Sequence, residues 1–199
     1  MNQSTERKNT VVFIDYTTLH ESMRRSGVNP IEINFFPVIL ERLNTVYELN
    51  VIECIVYAYF DSLPDHHQTV LRQMGLTTRH LGRRERGCRN LLLSAEAITT
   101  LYENPTIDVF IIVSGDNALI PLLTAIHYKN KFTCLLALKA DLDPDILNSV
   151  DFHEYLDDIF EIIQPAPAWK VKFSRSDYFN YWMKTRRMGV RDDSDDYCR

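Results

Sequence analysis

Short apolar runs alternate with amphipathic segments along most of the chain. Four runs are rich in β-branched and aromatic residues without strict alternation, which is typical of strands buried on both faces of a parallel sheet. They occupy residues 11–14, 51–60, 107–113 and 132–138, and residues 77–81 form a weaker edge-strand candidate. Between them, apolar positions recur at helical spacing over residues 36–49, 65–74, 91–102 and 117–128. This alternation predicts an α/β layer fold.

The pattern changes at residues 164–167 (QPAP), where two prolines disfavour both helix and central strand. We therefore expect one domain over residues 1–163 and a C-terminal extension over residues 164–199. Within the extension, residues 174–188 fit one helix with an aromatic face, followed by an acidic tail. Such a face docks either on the domain or on a second subunit, so a homodimer through this helix is one of two alternatives.

Composition places the chain among ordinary globular proteins. It has 199 residues, of which 45% are hydrophobic and 25% charged, and a net charge of -5 argues against a uniformly basic nucleic-acid coat protein. Cys54 and Cys134 lie in apolar runs, and the four cysteines form no CxxC pair. The N-terminus is polar, and no apolar stretch approaches the roughly 18 residues of a membrane span. We expect a cytoplasmic protein with no membrane partner.

Two of the apolar runs end in an aspartate. Asp15 follows the first run, and Asp116 follows the third within a Ser-Gly-Asp sequence. Ligands of open parallel sheets bind at the carboxyl ends of strands where the strand order reverses, so neighbouring strands would bring the two carboxylates together. Oxygen ligands of this kind suit Mg²⁺. The alternative is that each aspartate caps the helix after it.

These blocks resemble a known family. FIDYTTLH, YAYFDS, LRQMGLTTRHLGRRERG and IDVFIIVSGDNALIPLL, in this order, are similar to the NYN domain, specifically the LabA-like branch of the PIN-like nuclease superfamily. The resemblance runs from about residue 10 to about residue 160. It implies a flavodoxin-like parallel sheet of order 3-2-1-4-5 with helices on both faces. It also implies an acidic cluster that holds Mg²⁺ or Mn²⁺ for RNA hydrolysis.

Several family positions are altered in this chain. Thr18 stands where the family usually has Asn, and Ala118 replaces a second aspartate of the Ser-Gly-Asp block. In the middle block, one alignment places Asn90 and Glu96 at two family aspartates, whereas a register one residue earlier places Arg89 and Ala95 there. We prefer the first register because it provides two oxygen-bearing side chains at the family's six-residue spacing.

The resemblance therefore implies a metal site with fewer carboxylates than is usual in the family. Asp15, Glu96 and Asp116 are the predicted catalytic carboxylates and metal ligands, Asn90 is a further ligand, and Thr18, Asp61 and Ser114 support them. Fewer carboxylates lower the affinity for a cation, so we expect one weak Mg²⁺ or Mn²⁺ site, with no metal site as the alternative. The predicted function is a metal-dependent endoribonuclease-like protein with weakened activity. The alternatives are a degenerate NYN module that binds RNA or a protein partner, and a phosphatase-like enzyme on a small substrate.

A basic segment precedes the predicted helix at residues 91–102. Its arginines are Arg79, Arg83, Arg84, Arg86 and Arg89. Guanidinium groups bind phosphate without sequence choice, so this segment predicts RNA binding beside the acidic site, with a solvated loop as the alternative. Two other residues near the strand ends also have competing interpretations. Tyr16 either stacks on a base or packs in the core, and the histidine pair at residues 66–67 is a surface feature more often than a general base.

Overall fold

The computed structural model describes residues 7–64, 66–82 and 89–160, with only the backbone of Arg89. The strands are β1 (Lys8–Asp15), β2 (Leu49–Ala58), β3 (Thr77–His80), β4 (Val109–Val113), β5 (Phe132–Ala137) and β6 (Phe152–Tyr155). The helices are α1 (Tyr16–Arg25), α2 (Phe35–Thr45), α3 (His67–Gln73), α4 (Arg89–Glu103), α5 (Ile120–Tyr128) and α6 (Leu156–Ile159).

The described strands form one parallel sheet of order β3-β2-β1-β4-β5-β6. This confirms the predicted α/β fold and the strand order 3-2-1-4-5, and it adds β6 beside β5. Every residue of β4 and β5 is buried, which agrees with their continuous apolar sequences. The sheet therefore forms the middle layer of the domain.

The strand order reverses between β1 and β4. Connections after β1 lead to β2 and β3 on one side, whereas the later strands are added on the other side. Ile14 of β1 lies opposite Val113 of β4, so Asp15 and Ser114 leave neighbouring strands at the same edge. The fold thus places both predicted aspartate-bearing turns at its switch point, where ligands of such sheets bind.

Three of these helices and strands were absent from the sequence prediction: α1, β6 and the short helix α6. Helix α1 buries three polar residues, Thr17, His20 and Ser22, together with its apolar ones, and this mixture hides the helical pattern. Strand β6 has only four residues, of which Phe152 and Glu154 point inward. Within the described residues, the predicted strands and the predicted helices are present, with ends shifted by a few residues.

A buried ion pair attaches β6 to the domain. Glu154 is 6% exposed and accepts hydrogen bonds from the Arg42 guanidinium of α2 and from the Tyr47 hydroxyl at 2.5 Å. Burial followed by the Glu154 interactions raises the pKa of Tyr47, so its hydroxyl keeps its proton and donates. This explains how a charged residue occupies an inward position in a central layer.

Cys54 and Cys134 are buried free thiols, as their apolar surroundings predicted. Burial raises the pKa of Cys54 to about 12, so the thiol stays protonated and unreactive at neutral pH. Among the described helices, none combines the length and apolar character needed to cross a membrane. The predicted extension over residues 164–199, its helix and its homodimer lie outside the described residues.

Candidate active site at the carboxyl edge of the sheet

Asp15 ends β1 inside the protein rather than on its surface. Its side chain is fully buried, and Oδ1 accepts a hydrogen bond from the Thr18 backbone N–H at 3.3 Å, which caps α1. A cavity of about 10 Å³, close to the space that one water molecule needs, is lined by Asp15, Thr18 and Ser114 among others. Asp15 therefore has a capping role and also borders a small cavity whose other walls are largely apolar.

Asp116 is held by contacts from two directions. Its Oδ1 accepts from the Ala118 N–H at 2.9 Å, which caps the 3-10 turn Asn117–Leu119, and its own N–H donates to Ser114 Oγ at 3.3 Å. Its Oδ2 accepts from the Asn90 side-chain amide at 2.6 Å. Asn90 lies at the start of α4, so tertiary packing brings this helix end to the Ser-Gly-Asp turn.

The side-chain carbonyl oxygen of Asn90 differs from its amide nitrogen, which donates to Asp116. Asn90 Oδ1 is buried and has no hydrogen-bond partner among the described residues. A buried carbonyl oxygen without a partner is unfavourable by about 1–3 kcal/mol. Its position beside the Asp116 carboxylate is therefore suited to an additional group that offers a proton or a positive charge.

Glu96 faces a different part of the molecule. It accepts from the Tyr57 hydroxyl at 2.5 Å and forms an ion pair with Arg79, whose Nη2 lies 2.6 Å from Oε1. Burial raises the pKa of Glu96, but hydrogen bonds from Arg79 and Tyr57 outweigh burial and hold the pKa below its usual value. Six residues along a helix rotate a side chain by about 120° net, which is why Asn90 and Glu96 point to different neighbours.

Asp141 is a residue of this edge that the sequence analysis missed. It follows β5, lines the same small cavity as Asp15, and its Oδ1 lies 3.3 Å from Arg25 Nη2. A Cβ on Gly115 would lie 2.3 Å from the Asp141 carbonyl oxygen, so only glycine permits this approach. The segment at residues 139–145 contains three aspartates, and no sequence pattern distinguishes Asp141 from the other two.

A family model of the NYN domain matches residues 9–157. The chain belongs to the NYN domain family. Among solved structures, it is similar to a protein of unknown function from Vibrio parahaemolyticus RIMD 2210633, with a TM-score of 0.61 and 19% identity over 80% of this chain and 99% of that chain. This likeness shows the fold. None of the curated proteins matches the chain.

Membership in the NYN family, which is a PIN-like nuclease family, confirms the family resemblance of the sequence blocks. In the described part of this NYN domain, no group of three His, Cys, Asp or Glu side chains is arranged to hold a metal ion. The oxygen atoms at the edge come instead from Asp15, Asp116 and the Asn90 amide. Of these residues, Asn90 and Asp116 are in direct contact, whereas Asp15 borders the small cavity on the neighbouring strand.

The remaining predicted site residues differ in how they are placed. Ser114 supports the Asp116 backbone as described above, and Thr18 lines the cavity beside Asp15. Asp61 is largely exposed, and its Oδ2 lies 3.6 Å from His80 Nε2. It shares no described contact with Asp15, Glu96 or Asp116. Asp61 is therefore a surface residue of the segment after β2.

Of the five arginines in the basic segment, Arg79 is the one whose side chain the structure describes. Arg79 lies in β3 and forms the ion pair with Glu96, so part of its charge is already neutralised. Arg83, Arg84 and Arg86 lie outside the described residues, as does the side chain of Arg89. Their predicted contact with RNA stays a prediction.

The core below α1 contains aromatic and histidine side chains. Tyr16 is fully buried and its hydroxyl lies 3.3 Å from His67 Nδ1, so it packs in the core and cannot stack on a base. His67 is 1% exposed, which corrects its interpretation as a surface residue, whereas His66 is exposed. Burial, followed by the charges of His20 and His66, lowers the pKa of His67 to about 4.

Proposed function

We propose that this NYN protein hydrolyses RNA phosphodiesters at the carboxyl edge of its sheet, with weak activity, and that it belongs to the LabA-like branch. The observation that carries the proposal is the Asn90–Asp116 contact at 2.6 Å, with the partnerless Asn90 Oδ1 beside it. It joins the start of α4 to the end of β4 at the switch point where Asp15 also lies.

We assign one Mg²⁺ or Mn²⁺ ion to the oxygen atoms of this edge. Asp116 and Asn90, with Asp15 from the neighbouring strand, would hold it through oxygen atoms, and the orphaned Asn90 Oδ1 is the observation that supports the fit. When bound, the ion would polarise a phosphodiester and lower the pKa of a bound water. The backbone N–H groups of Thr18 and Ala118 orient the two carboxylates.

Among the metal ligands predicted from sequence, Glu96 has the least support from its contacts. To become a ligand it must break its hydrogen bonds to Tyr57 and Arg79, since both carboxylate oxygens take part in them. We therefore assign the ion to the Asp116–Asn90 side of α4. With two carboxylates rather than three or four, the expected affinity for the ion and the expected rate are low.

The experiment that tests this function measures cleavage of a labelled single-stranded RNA in Mn²⁺ or Mg²⁺. The wild-type chain should cleave, Asp116→Asn and Asp15→Asn should abolish cleavage, and chelation by EDTA should do the same. Lys129→Ala, an exposed cation over the Tyr102 ring, is the matched control for purification and folding. Equal cleavage by the wild type and Asp116→Asn would show that the activity belongs to a contaminant.

The Arg79–Glu96 ion pair favours a second function, a catalytically degenerate NYN module that binds RNA. An arginine already supplies the positive charge that Glu96 needs, so the fold is satisfied there without an ion. This candidate predicts RNA binding that is unchanged by EDTA and by Asp116→Asn, together with no cleavage. The same labelled RNA, followed by fluorescence anisotropy, separates the two functions.

A further inference from the structure

A groove of about 520 Å³ lies between α1 and the segment that follows β2. It is lined by His20, Glu21, Arg24, Arg25, Ser62 and Leu63. His20 and Leu63 are buried and form its floor, whereas the two arginines, Glu21 and Ser62 are exposed along its sides. None of these residues belongs to the arginine segment that the sequence singled out.

The groove is at the same edge of the sheet as the candidate active site. Helix α1 begins immediately after Asp15, and Ser62 lies four residues beyond the end of β2. At the other end of α1, the Arg25 guanidinium reaches Asp141, which follows β5 and lines the cavity beside Asp15. Residues that follow three parallel strands thus meet along α1, so a ligand at the Asp15 edge has the groove beside it.

The charges of the groove suit an anion. Arg24 and Arg25 contribute two positive charges against the single carboxylate of Glu21. In the described part of the chain, Arg24 has no ion pair, and Arg25 keeps 72% of its side chain exposed despite its contact with Asp141. Burial and then the nearby charge of Arg24 lower the pKa of His20, in agreement with a positive potential at the groove floor.

We propose that this groove binds phosphates of the RNA strand that lies across the carboxyl edge, with Arg24 as the principal contact and Arg25 as the second. The identity of the ligand rests on the proposed function, and the charge and position of the groove come from the residues above. Arginine contacts to phosphate position a strand without reading its sequence. The groove is larger than one phosphate group, and consecutive helical residues diverge by about 100°, so an extended polyanion can meet both guanidinium groups.

The test measures binding of fluorescein-labelled oligouridine to the full chain by anisotropy, in EDTA and over a range of salt concentrations. Arg24→Ala should weaken binding and lower the slope of log K against log salt by about 0.7, the value for one phosphate contact on a single strand. Glu21→Gln removes the opposing charge and should strengthen binding. Lys129→Ala, equally exposed but at the end of α5, should bind like the wild type.

The outcomes separate this inference from the proposed function. If the wild type binds and both Arg24→Ala and Glu21→Gln bind equally well, the groove proposal is wrong while RNA hydrolysis stands. If the wild type does not bind the oligomer at low salt, the groove proposal is wrong, and cleavage in Mn²⁺ or Mg²⁺ decides the proposed function separately. If an acidic peptide displaces the RNA at equal charge concentration, the groove recognises negative charge on a protein and this proposal is overturned. Thermal unfolding of each variant confirms that the exposed substitutions leave the fold intact.

Discussion

The Asn90 side-chain amide donates to Asp116 Oδ2 at 2.6 Å, which connects the start of α4 to the turn after β4. A neutral amide therefore lies against the Asp116 carboxylate. An aspartate at residue 90 would instead place a second negative charge there. Asp116 is thereby satisfied without a bound cation, while Asn90 Oδ1 remains buried without a partner among the described residues. In the proposed ion site, this pair would therefore set the affinity for a divalent ion.

Asn90→Asp should convert the weak ion site into a stronger one. Without metal, two carboxylates at hydrogen-bond distance repel, so the melting temperature should fall. With Mn²⁺, the added charge should tighten binding about tenfold, equivalent to about 1.4 kcal/mol. Differential scanning calorimetry with and without Mn²⁺ measures both effects, because binding to the folded state raises its stability.

Asn117→Asp is the control for Asn90→Asp. Asn117 donates to Asp143 Oδ2 at 2.6 Å in an exposed position, so the substitution makes the same chemical change at the same distance but in water. Its Mn²⁺ effect should be much smaller. Equal effects for the two variants would mean that any surface carboxylate pair suffices and that the Asp116 edge is not a built site.

Glu96→Gln should separate a structural role from metal binding. Removing the charge weakens the bonds to Arg79 and Tyr57 and should reduce the free energy of unfolding by about 1 kcal/mol. Because the folded-state pKa of Glu96 is lowered, its contribution is present above its unfolded pKa and is lost as the pH falls through the folded value. Urea unfolding at neutral pH and near pH 3 measures this difference.

The Mn²⁺-induced stabilisation of Glu96→Gln should equal that of the wild type. Glu103→Gln, at the exposed end of the same helix, serves as the control for removing one negative charge from α4. Loss of the Mn²⁺ effect in Glu96→Gln alone would show that Glu96 leaves Arg79 on ion binding and becomes a ligand, as the family alignment predicted.

Acidification should destabilise the domain through His67. Its pKa is lowered to about 4 in the folded protein, whereas the unfolded chain takes up the proton near pH 6.5. The contribution of neutral His67 is therefore complete above about pH 6.5 and decreases as the pH falls from 6.5 towards 4. His67→Gln should show a smaller decrease in unfolding free energy over this range, and the exposed His66→Gln should retain most of it. A wild-type stability that is flat between pH 7 and pH 5 would contradict the burial of this imidazole.

Glu154→Gln should weaken the attachment of β6. The substitution leaves the Arg42 guanidinium without its charged partner, so we expect a loss of about 2 kcal/mol in the free energy of unfolding. Asp158→Asn removes an exposed partner of Lys139, which lies 2.6 Å away, and should change stability by less than about 1 kcal/mol. If both variants lost similar amounts of unfolding free energy, burial would not strengthen the ion pair between Glu154 and Arg42.

Much of the fold was predictable because local sequence and burial agree. The apolar runs of β1, β4 and β5 have no polar face, which is typical of strands covered on both sides, and the second half of β2 is buried in the same way. The family resemblance supplied the strand order, and the structure confirms it. In α1 and β6 the buried positions include His20, whose ring packs edge-on against His67, and Glu154, which accepts hydrogen bonds from Arg42 and Tyr47. No local pattern reveals such partners.

By itself, the sequence determined the α/β class, the placement of Asp15 and Asp116 after apolar strands, and the scarcity of carboxylates at family positions. Tertiary structure alone decided the partners of those side chains: Asn90 with Asp116, Glu96 with Arg79 and Tyr57, and Asp141 with Arg25. The physical reason is that hydrophobic periodicity records whether a position is buried, which is a local property. Whether a carboxylate faces a cation, an amide or an arginine depends on which segments the sheet order brings together across the chain.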